Sequence, residues 1–270
     1  MAPNDDRSRT FERTEYRRVI AWPERIRREA PFLSATVGQA SPRRLLDVGC
    51  GTGEHAAHFA GQGWDAVGID IATNMIDDAL ELEGAAQSGG SLRFEVRAAA
   101  EAGGLPDAPF GAAICLGNTL AFHRTEEELL ATFRGIAAAL APGGLFLFQL
   151  LNYRRILEKR VRDLAPGFRP LPEEEGDGEI VFARFLDPKD DGTVDFYPVT
   201  LTLRPDSEEP VRLRSARCVT HRGWVRAELE DALTRAGFSD FSAFGTMAEV
   251  PYDPECSPDL VMMARRTGGE

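Results

Sequence analysis

The 270-residue chain has no apolar run that approaches the roughly 20 residues of a membrane-spanning helix, and its polar first residues contain no apolar signal-peptide core. Its four cysteines, Cys50, Cys115, Cys218 and Cys256, lie far apart and form no C-x-x-C pair. This spacing supports neither a zinc site nor a disulfide framework. The sequence therefore predicts a cytoplasmic protein with reduced thiols and no membrane partner.

Positive charge is also scarce, because 31 Lys and Arg stand against 43 Asp and Glu and give a net charge of −12. A protein that binds nucleic acid has to neutralise phosphates, so this balance argues against a nucleic-acid partner. The acidic residues and histidines show no metal-ligand spacing, and Asp190-Asp191 is interpreted as an exposed turn. No metal is expected.

From Arg44 onward, short aliphatic and β-branched runs alternate with helical patterns, which is typical of βαβ units around a parallel sheet. We predict strands at 45–48, 65–69, 92–96, 112–116 and 145–150, and helices near 54–60, 74–83 and 126–140. Pro142, Gly143 and Gly144 are expected to end the last helix and turn the chain into the fifth strand.

The regions on either side of this alternation have different patterns. Residues 1–40 predict two short amphipathic helices around Pro23, a leader that caps the domain. After Asn152, a short helix at 153–164 and a Pro/Gly/Glu-rich loop at 165–179 precede three alternating segments, 180–187, 193–204 and 211–222, which predict antiparallel strands. A helix at 224–236 and strands at 241–244 and 260–264 follow.

These patterns predict three parts: a leader, 1–40; a core domain, 41–151 and 223–270; and a β insert, 152–222. The insert follows the fifth strand, so it is expected at the carboxyl edge of the sheet. Two interpretations of the insert stay open, a lid that selects the substrate or a platform for a homodimer.

The stretch "LLDVGCGTGEHAAHFAGQGWDAVGID" places Gly49, Gly51 and Gly53 directly after the first strand. Glycine permits positive φ and close approach of a ligand to the backbone, and Asp70 at the end of the second strand can accept hydrogen bonds from a ribose diol. The spacing is G-x-G-x-G, with Glu54 where a dinucleotide fingerprint has its third glycine. This favours a nucleoside cofactor with a cationic centre, such as S-adenosylmethionine, over NAD.

The same residues resemble the class I S-adenosylmethionine-dependent methyltransferases. "LLDVGCGTG" is similar to their first motif, "AVGIDIATNMI" to their acidic loop, "FEVRAAAEAGGLP" to their adenine segment and "GIAAALAPGGLFLF" to the segment before the fifth strand. The resemblance implies a doubly wound, Rossmann-like α/β sheet of seven strands with an antiparallel seventh strand. The candidate cofactor-binding residues are Asp47, Gly49, Cys50, Gly51, Gly53, His55, Asp70, Ile71, Met75, Ala100, Glu101 and Leu116. In the leader, Tyr16 and Trp22 either close over the cofactor or pack the leader onto the domain.

The sequence gives less information about the residues that bind the methyl acceptor. "ICLGNTLAFH" and "QLLNYRRIL" resemble two stretches of the glycine N-methyltransferase group, which implies substrate contacts at Asn118, Asn152 and Tyr153. Leu151 stands where that group has an arginine for the substrate carboxylate, so glycine itself is not the expected acceptor. The insert offers Arg184, Tyr197 and Arg217. His123 and Tyr153 are the catalytic candidates, although capping or surface hydrogen bonding is the favoured interpretation of His123.

The resulting prediction is an enzyme that methylates a small molecule, with an amine or amino-acid-like acceptor favoured. O- or S-methylation and a non-catalytic cofactor-binding protein are the alternatives. Methyl transfer from a sulfonium requires alignment and exclusion of water more than a strong base, which explains why the acceptor leaves little trace in the sequence.

Overall fold

The computed structural model describes residues 17, 19–83 and 89–268. Its main sheet has seven strands in the order β11-β12-β5-β4-β1-β2-β3. The strands are β1 (Arg44–Val48), β2 (Asp65–Asp70), β3 (Leu92–Val96), β4 (Phe110–Cys115), β5 (Leu140–Leu151), β11 (Phe238–Phe244) and β12 (Asp259–Arg266). β12 is antiparallel to both of its neighbours, whereas β1 to β5 pair in parallel. The predicted fold class is confirmed.

Burial explains why the inner strands are continuously apolar. All six residues of β4 and the last four of β1 are buried, since helices cover both faces of a parallel sheet. Chain order reverses between β1 and β4, which pair directly. A crevice therefore forms outside the carboxyl ends of these two strands, where ligands bind in open α/β sheets.

The helices of the core and leader are α1 (Trp22–Val37), α2 (Glu54–Gly61), α3 (Thr73–Leu80), α4 (Glu126–Ala139), α5 (Tyr153–Glu158) and α6 (Arg226–Arg235). The leader prediction is tested for one helix only: α1 contains Pro23 in its first turn and runs for 16 residues. The other expected helix, and Tyr16, lie outside the described residues.

The turn predicted before the fifth strand differs from the structure. Helix α4 begins at a capping box formed by Thr125 and Glu128 and ends at Ala139, but β5 already starts at Leu140. Gly143, with φ of 73°, lies inside β5 where the β4–β5 register shifts. Leu140 pairs with Phe110 before this irregularity, so the chain enters the sheet earlier than the Pro-Gly-Gly stretch suggests.

The insert forms a second, five-stranded antiparallel sheet in which β8 pairs with β7, β9 and β10, and β6 pairs with β7. Its strands are β6 (Asp163–Pro170), β7 (Glu179–Pro188), β8 (Thr193–Leu203), β9 (Val211–Ala216) and β10 (Val219–Arg222). Two predictions were wrong here. Much of the expected 165–179 loop belongs to β6, and the single strand expected at 211–222 is two strands, because both pair with different halves of β8.

The two faces of the inserted sheet differ. Strand alternation places Ile180 and Leu186 of β7 on one face, and each is 1% exposed. Leu186 belongs to the core cluster of the main domain, and Ile180 packs with Val19 of the leader. The opposite face carries the exposed apolar side chains Phe168, Phe185, Val211 and Leu213.

Among residues 17, 19–83 and 89–268, the structure contains no helix with the length and apolar character needed to cross a bilayer. Within the same described ranges, no three His, Cys, Asp or Glu side chains are arranged to hold a metal ion.

Candidate active site

The glycine loop follows β1 and lies beneath the crevice. Gly49, Gly51 and Gly53 have φ of 66°, 55° and 87°, a region that side-chain-bearing residues rarely adopt. The Gly49 N–H donates to Ile69 O (2.8 Å), which ties the loop to the end of β2. A Cβ at Gly49 would lie 2.4 Å from Thr119 Cγ2. The loop therefore requires glycine for both its conformation and its contact with the β4 loop.

Asp70 ends β2 and is held by the backbone around it. Its Oδ2 accepts from Gly51 N–H (3.0 Å) and its Oδ1 from Ala72 N–H (2.9 Å). Burial raises the pKa of Asp70, and the backbone N–H groups of Ala72, Gly51 and Ile71 partly oppose this rise. The carboxylate thus has a fixed orientation, with lone pairs left to accept hydroxyl hydrogens.

A cavity of about 420 Å³ opens above these groups, a size suited to a small ligand. The predicted residues that line it are Trp22, Asp47, Gly49, Cys50, Gly51, His55, Asp70, Ile71, Met75, Ala100, Leu116 and His123. Gly53 and Glu101 are not among the lining residues. Gly53 is the N-cap residue of α2, and Glu101 is exposed. The structure therefore brings most of the cofactor candidates to one cavity.

Asp47 brings a buried carboxylate to the wall of this cavity. Its side chain is 2% exposed, and its Oδ2 has no hydrogen-bond partner among the described residues. Burial is the main cause that raises its pKa to about 7; the Ala56 N–H lowers it and the charge of Asp70 raises it further. A buried carboxylate oxygen without a partner is a place for a positively charged donor from a ligand.

The leader helix α1 supplies part of the cavity wall. Trp22 contacts the His55 ring edge to face at 5.5 Å between centroids, and the Arg25 guanidinium lies 5.0 Å from the Trp22 ring centroid. Arg25 Nε donates to both carboxylate oxygens of Glu29 (3.1 Å each), and His55 Nε2 lies 3.0 Å from Glu29 Oε2. This buried network fixes the leader against the glycine-loop helix α2.

The titration of this network follows from its contacts. Burial by itself would raise the pKa of Glu29, but the His55 hydrogen bond and the Arg25 charge lower it to about 2. Burial also lowers the pKa of His55. His55 is therefore a neutral hydrogen-bond donor to an ionised Glu29, and it positions the leader while its ring faces the cavity.

Arg25 and Arg97 also line the cavity, although the sequence analysis did not single them out. For Arg25, the helical spacing of Trp22, Arg25 and Glu29 was an available signal, because residues three and four apart share a helix face. Arg97 directly follows β3 and bonds to Glu95 (Nε to Oε1, 2.6 Å), and nothing in its sequence context marks it.

The candidate acceptor residues are placed less uniformly. His123 lines the cavity, its Nε2 lies 3.1 Å from Thr132 Oγ1, and its carbonyl accepts from Trp224 Nε1 (3.0 Å). Asn118 and Tyr153 lie outside the lining residues. Asn118 Oδ1 accepts from Leu151 N–H (3.0 Å), and its Nδ2 donates to the Tyr153 hydroxyl (2.7 Å).

The Tyr153 hydroxyl lies 2.9 Å from His221 Nδ1, so Asn118, Tyr153 and His221 form a polar cluster. Burial lowers the pKa of His221 to about 4 and raises that of Tyr153. Neutral His221 therefore accepts a hydrogen bond at Nδ1 from the Tyr153 hydroxyl. Phe122, which lines the cavity, contacts the His221 ring edge to face at 4.9 Å, so the cluster lies behind the cavity wall.

Asn152, Tyr197 and Arg217 also lie away from the cavity lining. Asn152 caps α5 by accepting from Arg155 N–H (3.2 Å), and it donates to Ser257 O (2.9 Å). Tyr197 pairs with Phe185 across β7 and β8, and Arg217 connects β9 to β10. Their substrate role stays a prediction.

Known proteins share both the loop and the fold. Residues 45–144 match the family described as "Methyltransferase domain". Residues 45–144 are thus a methyltransferase domain, and the seven-stranded fold is similar to that of the class I S-adenosylmethionine-dependent methyltransferases. The cofactor class expected from the sequence, S-adenosylmethionine, is the one that this family uses.

Particular relatives narrow the comparison. A glycine/sarcosine N-methyltransferase of Halorhodospira halochloris is 27% identical over 194 residues, which are 70% of this chain and 70% of that protein. The S-adenosylmethionine-bound structure of CalS10, an amino pentose methyltransferase of Micromonospora echinaspora involved in calicheamicin biosynthesis, gives a TM-score of 0.66 at 22% identity and covers 95% of this chain and 98% of that one.

The chain spans about half the length of the curated relatives that it matches first. The Bacillus subtilis (strain 168) protein YqeM is 30% identical over 115 residues, which are 43% of this chain and 45% of YqeM.

Proposed function

We propose that the protein transfers the methyl group of S-adenosylmethionine to the nitrogen of a small molecule. The observation that carries the donor half is one cavity, bounded by the glycine loop, the fixed carboxylate of Asp70 and the unpartnered oxygen of Asp47. When bound, S-adenosylmethionine supplies a methyl group activated by a sulfonium.

The residues of the cavity suit the parts of this donor. Asp70 would accept from the ribose hydroxyls, and Asp47 would accept from the ammonium of the methionine part. Ile71, 41% exposed beside the cavity, offers an apolar surface to the adenine. Trp22 presents an aromatic ring over the same cavity, a surface that attracts cations.

Nitrogen is favoured as the acceptor atom for two reasons. Two of the three relatives named above are described as a glycine/sarcosine N-methyltransferase and an amino pentose methyltransferase. A carboxylate also lies near the site, because Asp259 is linked through the Gln149 side chain to Gly117 of the cavity wall. A negative environment favours binding of an amine as its ammonium form. The ammonium would lose its proton to solvent before the nitrogen lone pair attacks the methyl carbon and S-adenosylhomocysteine leaves.

The insert is proposed as the lid of the acceptor site. Its buried face packs on the main domain through Leu186 and on the leader through Ile180, which supports a lid fixed to both parts. Its apolar outer face, with Val211 and Leu213 more than half exposed, supports the homodimer as a second role for the same sheet.

The test measures transfer from methyl-labelled S-adenosylmethionine to panels of small amines, alcohols and thiols. We expect labelled product with amines and equimolar S-adenosylhomocysteine. Product with alcohols or thiols alone would contradict N-methylation. Binding of S-adenosylhomocysteine without turnover across all three panels would support a non-catalytic binding protein.

A further inference from the structure

Asp259 is connected to the cavity wall through one side chain. It pairs with Leu151 at the carboxyl end of β5. The Gln149 side chain links it to the cavity: Gln149 Oε1 accepts from Gly117 N–H (3.1 Å), and its amide hydrogen-bonds to the Asp259 carboxylate. Because Gly117 lines the cavity, one amide side chain separates Asp259 from the wall.

Arg184 is a partly buried charged residue on strand β7 of the insert. It shares a face of β7 with Ile180 and Leu186, the face that packs toward the leader and the main domain. Its Nη2 donates to Ala165 O (2.9 Å), and its guanidinium lies 5.7 Å from the Phe182 ring centroid. Its Nε is buried and has no hydrogen-bond partner in the part of the chain that the structure describes.

The charges around Arg184 do not neutralise it. No carboxylate of the described residues lies within 4.0 Å of its guanidinium. Burial lowers the pKa of Arg184, the Asp259 charge raises it, and the Arg25 charge lowers it. Burial likewise raises the pKa of Asp259 to about 6 against the effects of Gln149, Arg184 and Arg25.

A half-buried guanidinium with an unpartnered N–H is costly in the free protein. Its planar set of donors matches a carboxylate or a phosphate, which would restore the missing hydrogen bonds. Asp259 offers the opposite charge nearby. The positive charge of Arg184 and the negative charge of Asp259 would together match a molecule that carries one anionic and one cationic group.

We propose that Arg184 and Asp259 together select an acceptor that carries an anionic group and an amine, with Arg184 binding the anion and Asp259 the ammonium. The insert and the C-terminal strand would each supply one of the two charges. The proposal rests on the proposed N-methyl transfer and names its substrate class. The anion is a carboxylate or a phosphate, and the acceptors chosen for the test distinguish them.

The test uses matched pairs of acceptors with the full chain. The first pair compares α-amino acids, including sarcosine, with their methyl esters, and the second compares O-phosphoethanolamine with ethanolamine. For the wild type, we expect a KM at least tenfold lower for the anionic member of one pair. Arg184→Gln should remove this preference by raising that KM, while the KM of the neutral member changes less than twofold.

Three controls keep the result specific. Arg212→Gln removes an exposed arginine of the same inserted sheet and should leave every KM unchanged. Arg184→Lys, which keeps the charge without the planar donors, should restore part of the preference. Asp259→Asn should raise KM for both members of a pair, because both carry the amine. S-adenosylhomocysteine affinity should stay within twofold in all four variants, which also reports that they are folded.

The outcomes separate this proposal from the proposed function. Equal effects of Arg184→Gln on charged and neutral acceptors, or no effect, would overturn the charge-pair proposal while amine methylation stands. Calorimetric titration of the anionic probes with S-adenosylhomocysteine present gives a reading that needs no turnover. Transfer to no amine would contradict the proposed function, and an absence of anion-dependent binding in that titration would overturn the charge-pair proposal separately.

Discussion

The core sheet and the inserted sheet both contribute to the proposed site, but they do so by different physical means. In the core, β4 is buried along its whole length, and the ligand-facing groups are loop backbone and carboxylates that the backbone holds. In the insert, β9 exposes Val211 and Leu213 by 53% and 59%, and a long side chain, Arg184, carries the proposed role. A donor common to a family suits fixed backbone geometry, whereas an acceptor that varies suits replaceable side chains.

The comparison predicts first that the two faces of the insert differ in their effect on stability. Leu186→Ala removes a side chain that is 1% exposed and packed in the main core, so we expect a loss of about 2–4 kcal/mol in the free energy of unfolding. Leu213→Ala, the matched change on the outer face, should cost less than about 0.5 kcal/mol. Urea unfolding measures both.

Equal losses for the two leucine variants would contradict the assignment of an inner and an outer face. Sedimentation of the Leu213→Ala protein adds a further reading. A change from dimer to monomer in that variant would support the homodimer role of the outer face.

The second prediction concerns the backbone of the donor site. Gly49→Ala places a Cβ against Thr119 at positive φ, so we expect S-adenosylhomocysteine affinity to fall about 30-fold, roughly 2 kcal/mol. Gly63→Ala is the matched control, because Gly63 has φ of 82° and open space around its Cβ position. It should lower stability by about 1 kcal/mol and leave affinity unchanged. Unchanged affinity of Gly49→Ala in calorimetry would place the donor elsewhere.

The third prediction follows from the titration of Asp47. Because its pKa in the folded protein is about 7, above its ordinary value of 3.8, its ionisation makes the free protein less stable as pH rises from about 4 to 7. The donor's ammonium favours the ionised form, so S-adenosylhomocysteine affinity should rise between pH 6 and pH 8.

Asp47→Asn should lower the affinity about tenfold at pH 8, flatten this pH dependence and raise Tm at pH 8 by a few degrees. Calorimetric titration and thermal unfolding at the two pH values measure these effects. An affinity of Asp47→Asn that still rises with pH would show that another group is responsible.

The difference between the two sheets also explains how far the sequence could predict the protein. Continuous apolar runs and glycine spacing identify β1, the loop and Asp70, because these features depend on neighbours in the sequence. β6 was missed since its Pro-Gly-rich strand pairs through a register shift between Leu164 and Gly167, which no local pattern reveals. Arg184 and Asp259 lie 75 positions apart in the sequence. No local pattern could therefore have paired them in one proposal.

Asn118 and Tyr153 illustrate the same limit within the core. Local motifs singled them out, but their side chains bond to each other and to His221 of the insert. A local motif indicates candidate substrate-binding residues. The orientation of their side chains depends on residues that are distant in the sequence and pack around them.

The most direct test of the separation between donor and acceptor sites is one calorimetric comparison of S-adenosylhomocysteine binding to Asp70→Ala and Arg184→Gln. Loss of the Asp70 hydrogen bonds should weaken binding by about 1–3 kcal/mol, whereas Arg184→Gln should bind within twofold of the wild type. Asp65→Ala, at the exposed opposite end of β2, is the control and should bind normally. Comparable loss in Asp70→Ala and Arg184→Gln, or none in Asp70→Ala, would contradict the account.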